Sequence, residues 1–314
     1  MAWALDFDKF NSFVALRKRQ GEWVFRIAGE IVAKANSALE GLGAELQIIA
    51  IALLSSLKRE EAMGVGENGR PKGLGVYAYV GAYVKNKVGV TPLMRAQAKM
   101  NGACAEAYEE IRGQVIGGFA EAISDFYSMM CYELQANNGK WEPVAKMGEA
   151  QLAQMADAEW FDGQRFSDRL WADKDGLMRA LRRTLTQGIN LGWTLSEMAN
   201  AFKGAIAQAQ YVVERLIRTE MNRVQNQAIL AAYKANGVLK YQYVAILDER
   251  TSEICESLDG REFLVSEAEP GVNLPPMHPN CRSSTIPANL TTPQIDKSLE
   301  RLDYETWVKR FLGA

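Results

Sequence analysis

The chain has 314 residues, 48% of them hydrophobic and 24% charged, a composition that suits a globular protein with enough apolar material for a sizeable core. Its 36 basic and 38 acidic side chains give a net charge of -2. That balance excludes a global positive field for coating nucleic acid or adhering to an anionic membrane, so any contact with DNA must be local.

The opening Met1-Ala2-Trp3-Ala4-Leu5-Asp6-Phe7-Asp8 lacks the basic start and continuous apolar run of a secretory signal, and a cytoplasmic origin is expected. From Phe10 to Leu57 apolar residues recur at helical spacing. The most apolar stretch, Leu46 to Leu57, is interrupted by Gln47 and bounded by Glu45 and Lys58. It is shorter than the ~20 residues needed to span a bilayer, so it reads as a buried helix and no membrane anchor is expected.

A glycine-rich interval from Gly64 to Gly75 follows, then Val76 to Val80 as a short candidate strand. Gly64-Val65-Gly66-Glu67-Asn68-Gly69 satisfies G-x-G-x-x-G, but a charged helical stretch precedes it and Arg70-Pro71 follows. Without a strand before it and a helix after it, the segment reads as a loop rather than a phosphate cradle. Between Ala103 and Leu134, the series Ala107, Ile111, Val115, Phe119, Ile123, Phe126 and Met130 marks one face of a long helix. Asn137-Asn138-Gly139-Lys140 and Pro143 then supply turn and stop signals, which place a linker at 141–160.

Thr194 with Glu197 forms a capping box, and Trp193 with Met198 a hydrophobic staple, so a helix is expected to begin at Leu195. A longer helix is expected from about Ala205 to Ala235, closed by Asn236-Gly237. Arg179, Arg182, Arg183, Arg215, Arg218 and Arg223 lie on these helices. They read mainly as solvated faces and intrahelical pairs, such as Glu214 with Arg218, with local phosphate contact as the alternative. Beyond Gly237 the period changes: Leu239–Leu247, Glu262–Val265 and Ser283–Ile286 read as strands of a small antiparallel sheet. Thr292-Pro293 opens a final amphipathic segment carrying Ile295, Leu299, Leu302, Trp307 and Phe311.

Four cysteines are too few for a disulfide scaffold. Cys104 and Cys131 lie in apolar helical stretches as small hydrophobes, whereas Cys255 and Cys281 lie among polar loops. With Asp248 and His278, the only histidine, they form the pattern D-x6-C-x22-H-x2-C. Two thiolates, an imidazole and a carboxylate make a tetrahedral set suited to a structural Zn²⁺. Two other readings stay open: a junction of packing and hydrogen bonds without metal, and a thiol–histidine pair with Asp248 orienting the imidazole.

The series Arg218-Thr219-Glu220, Asn226-Gln227-Ala228, Asp248-Glu249-Arg250-Thr251-Ser252, Cys255, Leu258-Asp259-Gly260 and Pro275-Pro276-Met277-His278-Pro279-Asn280-Cys281-Arg282 resembles the Mu F-like head-morphogenesis domain of tailed phages. The resemblance covers roughly residues 160 to 290. It implies a minor capsid protein of the virion, assembled in the bacterial cytoplasm, with the portal and major capsid protein as partners and a role in head assembly, DNA packaging or ejection. It implies no enzymatic reaction and no small-molecule substrate. Asp248, Cys255, His278 and Cys281 match the family's hallmark positions, while Ser252 and Ser283 stand where many members carry further cysteines. Related domains occur fused to toxin modules, which leaves a Cys/His hydrolase or toxin-like effector as the alternative function.

The expected fold is therefore mainly α: a helical N-terminal region, then a small α+β C-terminal domain with a short antiparallel sheet. Its expected parts are residues 1–140, a linker at 141–160, the Mu F-like domain at 161–290 and a C-terminal amphipathic helix at 291–314.

Overall fold

A computed structural model describes residues 7–63, 92–138, 140–160, 162–288 and 302–313. The glycine-rich interval, the candidate strand Val76–Val80 and the start of the final amphipathic segment lie outside the described residues. The elements run α1 (Phe7–Met63), α2 (Pro92–Asn138), α3 (Glu149–Ala156), α4 (Phe166–Leu191), α5 (Leu195–Ala235), β1 (Lys240–Val244), α6 (Glu253–Leu258), β2 (Glu262–Leu264), β3 (Ser284–Pro287) and α7 (Tyr304–Phe311). The expected mainly helical architecture with a small antiparallel sheet near the C-terminus is what the structure shows.

The chain divides into two compact units, each assembled from separated segments. One comprises Met1–Val32, Gln114–Ser167 and Arg215–Ala314, the other Ala33–Gly113 and Asp168–Glu214. The expected regions are consecutive in sequence, whereas these units are not, because α1, α2 and α5 each contribute residues to both.

In the second unit, α1 buries Ala35, Leu39, Leu42, Leu46, Ile49 and Leu53, a spacing of three or four that defines one helical stripe. Glu40 and Glu45 lie on its exposed faces. The apolar stretch of this helix is longer than its sequence first indicates: Arg26–Leu54 is long and apolar enough to cross a membrane by length and composition. Its most apolar part is 33% buried, with Ile48 and Ile51 exposed beside the buried stripe, so the helix buries one face and leaves apolar side chains on the other. Elsewhere in this unit the buried Tyr108 donates its hydroxyl proton to Asp173 at 2.7 Å.

The capping box forms as its residue types require. Glu197 accepts from the Thr194 amide at 2.7 Å, and the Thr194 hydroxyl accepts from the Glu197 amide at 3.2 Å. Where two helices were expected, α5 runs unbroken from Leu195 to Ala235. Gly204 is the only helix-weakening residue at that junction, and a single glycine costs only about 1 kcal/mol relative to alanine. The end is sharper: Gly237 has φ 67°, Val238 donates to the Tyr233 carbonyl at 2.9 Å, and Gly237 donates to Lys234 at 3.4 Å, which together make a Schellman stop.

The first unit contains the sheet, in the order β2-β1-β3 with both pairings antiparallel. Residues 141–160 are more structured than a linker: they contain α3, and Val144 is buried. Val144 accepts from Phe311 no proton but donates its own amide to that residue's carbonyl at 2.7 Å, and its carbonyl accepts from Gly313 at 2.7 Å. The C-terminal helix α7 thereby packs on its own unit. Its Trp307 is fully buried, donates Nε1–H to Gln135 at 2.9 Å, and meets the Tyr132 ring edge-on.

Among the arginines singled out, Arg223 departs from the solvated reading, with a side chain only 1% exposed. It donates to Glu220 at 2.5 Å, to Gln227 at 2.8 Å, and to the last carbonyls of α3, Met155 at 3.0 Å and Ala156 at 2.9 Å. One guanidinium therefore closes the end of α3 and neutralises a carboxylate that is equally buried. Arg223→Ala removes the guanidinium from the buried Glu220 and from the Met155 and Ala156 carbonyls, and is expected to destabilise the protein by about 3–5 kcal/mol in chemical denaturation. Arg223→Lys should recover little of this, because an ammonium cannot reproduce the fork of donors.

Candidate functional site

The candidate site is built by two short segments beside the sheet. After β1 the chain makes a tight loop in which the Thr251 hydroxyl donates to the Ile246 carbonyl at 2.6 Å and accepts from the Asp248 amide at 2.7 Å. Ser252 then caps α6 by accepting from the Cys255 amide at 3.3 Å, which sets Cys255 in the first turn of that helix. On the other side of the site, His278-Pro279-Asn280-Cys281 forms a turn closed by a bond from the Cys281 amide to the His278 carbonyl at 3.1 Å. Asn280, at φ 60°, supplies the left-handed residue that follows proline in a type II turn.

Helix α5 holds this second segment in place. The Thr219 hydroxyl accepts from the Asn280 amide at 3.0 Å and donates to its own helix at Arg215. Asn222 donates to the Ser283 carbonyl at 2.9 Å, and Asn226 donates to the Asn222 carbonyl at 2.9 Å and lies 3.5 Å from the same Ser283 oxygen. All three side chains are buried, and the Thr219 and Asn222 bonds satisfy backbone groups of the loop at Asn280 and Ser283. Of the motif residues around 218–228, Thr219 and Asn226 contact the loop, whereas Glu220 and Gln227 accept from Arg223; Asn222, which the motif did not include, makes the shortest of these bonds to the loop.

The two segments bring Cys255, His278 and Cys281 together, with all three donor atoms within 4.8 Å of one another. Cys255 Sγ lies 3.3 Å from His278 Nε2 and 3.7 Å from Cys281 Sγ. Both cysteines are buried and unbonded thiols, and the half-buried imidazole has its Nδ1 2.9 Å from the Pro279 carbonyl. Tyr243, from the middle strand, donates its hydroxyl proton to Cys255 Sγ at 3.3 Å. Ala245, Leu258, Phe263 and Met277 pack around the group.

The two thiols sit in different electrostatic surroundings. Burial raises Cys255, but hydrogen bonds involving Ser252, Ser283, Tyr243 and His278 outweigh it and bring the thiol down to about 7. Burial dominates at Cys281 and pushes it up, with backbone hydrogen bonds from Met277 and Ser283 opposing. Burial likewise raises Tyr243, which keeps its phenol protonated and able to donate.

Asp248, the fourth residue of the sequence pattern, does not join the other three. Its two oxygens accept a bidentate pair of bonds from Arg282 at 2.6 and 2.7 Å, and Oδ1 also accepts from the Arg250 amide at 2.9 Å. The carboxylate therefore ties the loop after β1 to the segment before β3, beside the cluster. Arg282, the residue after the final cysteine, thus takes the carboxylate that the sequence pattern groups with the ligands.

Arg282, followed by the Arg250 amide, holds the Asp248 carboxyl well below the usual carboxylate range. A depressed folded value contributes stability that is fully present above the unfolded value of about 3.9 and is lost as pH falls through the folded one. Wild type is expected to melt above Arg282→Ala at neutral pH, with the gap narrowing as pH drops below about 4. Melting curves across pH check this; a gap unchanged at low pH would contradict it.

With this geometry in place, comparison with known proteins adds one finding. The family model described as Phage Mu protein F like protein matches residues 179–286, a stretch that begins in α4 and ends in β3. No curated protein and no solved structure matches the chain. The matched residues contain the Cys/His/Cys cluster, the Asp248–Arg282 pair and the α5 side chains that hold the loop. The similarity to that family is confined to residues 179–286.

Proposed function

We propose that the protein is a minor head protein of a tailed phage that acts in head assembly through contacts with the portal and the major capsid protein. The family match over residues 179–286 carries this reading, since it supports a general role in phage head morphogenesis. On this reading the protein is a virion component assembled in the host cytoplasm. The surface chemistry suits protein partners: Leu239, Ile246, Leu247, Ile254 and Val272 are exposed within the matched region, where apolar side chains favour contact with another protein. A net charge of -2 argues against coating DNA. Contact with packaged DNA is confined to local features such as Arg182 and Arg183, which line a surface concavity on α4 with Thr186, Gln187 and Asn190.

One observation favours an enzyme as the second reading, the 3.3 Å approach of Cys255 Sγ to His278 Nε2. A thiol–histidine catalyst needs its imidazole oriented for proton transfer, commonly by a carboxylate or amide on the other nitrogen. Here Nδ1 lies against the Pro279 carbonyl, and Asp248 is occupied by Arg282. The arrangement supports a structural junction better than a nucleophile.

Sedimentation of lysates from the phage or prophage that encodes the chain tests the head assignment. The protein should travel with assembled heads at far fewer copies than the major capsid protein. Deleting the gene should yield defective or non-infectious particles, with infectivity restored in trans. A protein that stays in the soluble fraction, with normal heads formed in its absence, would overturn the assignment.

A further inference from the structure

We propose that Cys255, His278 and Cys281 bind one Zn²⁺ ion as a three-residue site whose fourth ligand is water, with Asp248 outside the coordination sphere. The proposal goes beyond the head-assembly reading and stands or falls separately from it.

Two of the three donor separations match a tetrahedral centre before any ion is placed, and the third lies within 4.8 Å. With Zn–S near 2.3 Å and Zn–N near 2.0 Å, a tetrahedral centre sets two sulfurs ~3.8 Å apart and sulfur from nitrogen ~3.5 Å apart. The structure has 3.7 Å between the sulfurs and 3.3 Å from Cys255 Sγ to Nε2. The sulfurs are also well beyond the ~2.05 Å of a disulfide, and both thiols are free.

The surrounding groups point the donors inward. An Nδ1–H donated to the Pro279 carbonyl leaves the lone pair on Nε2, the atom that faces Cys255. The turn at 278–281 presents His278 and Cys281 from one tight backbone segment, in the manner of a metal knuckle. Tyr243 donates to Cys255 Sγ, a bond that also stabilises a thiolate. Binding releases the proton of each thiol to solvent, and Zn²⁺ takes the sulfur and nitrogen lone pairs without any change of oxidation state.

The donor set selects the metal. Two thiolates and an imidazole are too soft for Mg²⁺ or Ca²⁺ and suit zinc. Among the described residues no further His, Cys, Asp or Glu joins the three. Asp248 is committed to Arg282 in a bidentate pair, which leaves the fourth corner to water. Such an ion staples α6 to the segment that leads into β3.

The test uses the full-length protein, purified under reducing conditions and loaded with Zn²⁺, with Co²⁺ as a spectroscopic probe. Metal analysis should find one zinc per chain, and Co²⁺ should give the thiolate charge-transfer and intense visible bands of a tetrahedral site. Asp248→Asn should keep both signals, whereas Cys281→Ser should lose zinc stoichiometry. Circular dichroism of the helices shows whether that variant is still folded. Wild-type protein that binds no stoichiometric zinc and gives no tetrahedral cobalt spectrum would overturn the site without relying on any variant. Loss of the metal in a folded Asp248→Asn protein would overturn the three-residue assignment.

Discussion

The C-terminal region depends on a row of polar side chains buried along one face of a helix. Thr219, Asn222, Arg223 and Asn226 follow one another at spacings of three, one and three, so they share a face of α5, and each is less than a tenth exposed. Burying such groups is costly unless each finds a partner. Here the partners include the Asn280 amide, the Ser283 carbonyl and the terminal carbonyls of α3, while Asn226 bonds the Asn222 carbonyl of its own helix and its Oδ1 finds no partner among the described residues. The helix thus does for the loop what a neighbouring strand does in a sheet. Net stabilisation per bond is about 1 kcal/mol, but leaving any of these groups unsatisfied costs about 1–3 kcal/mol, so the arrangement resists partial loss.

The position of the Cys/His/Cys cluster follows from that anchoring. His278 and Cys281 are fixed because the intervening Asn280 is held by Thr219 and the following Ser283 by Asn222. Cys255 arrives from the opposite side, positioned by the Ser252 cap and the Tyr243 hydroxyl. The Asp248–Arg282 pair closes the same gap from outside, where solvent screens it and its contribution is more to register than to stability. Polar anchoring, a cap and an exposed ion pair therefore converge on one small volume.

Much of this was legible in the sequence. The capping box at Thr194, the stop at Asn236-Gly237 and the three strands appear near where residue types and period place them, because each rests on local chemistry. Cysteine and histidine could be grouped because so few residue types serve as soft ligands. What could not be read was which carboxylate finds which cation: Asp248 and Arg282 are 34 residues apart, and only the folded sheet brings them together. The compact units were equally hidden, since long helices contribute to both and no break in composition marks where one ends. Arg223 looked like any surface arginine until its burial against α3 was visible. The family match extends over the region where the motif residues lie, which explains why the resemblance was clearest there and silent about the helices before it.

The central claim, that side chains of α5 hold the loop that carries two of the three donors, is tested most directly by amide hydrogen exchange across residues 275–283. The comparison is between wild type and Thr219→Val, which removes the hydroxyl while keeping the shape. The Asn280 amide should exchange about 5-fold faster in the variant, the consequence of losing roughly 1 kcal/mol of hydrogen bonding, while amides in the middle of α5 stay equally protected. Unchanged protection of Asn280 in a folded variant would contradict the account and return the organising role to the sheet or to the cluster itself.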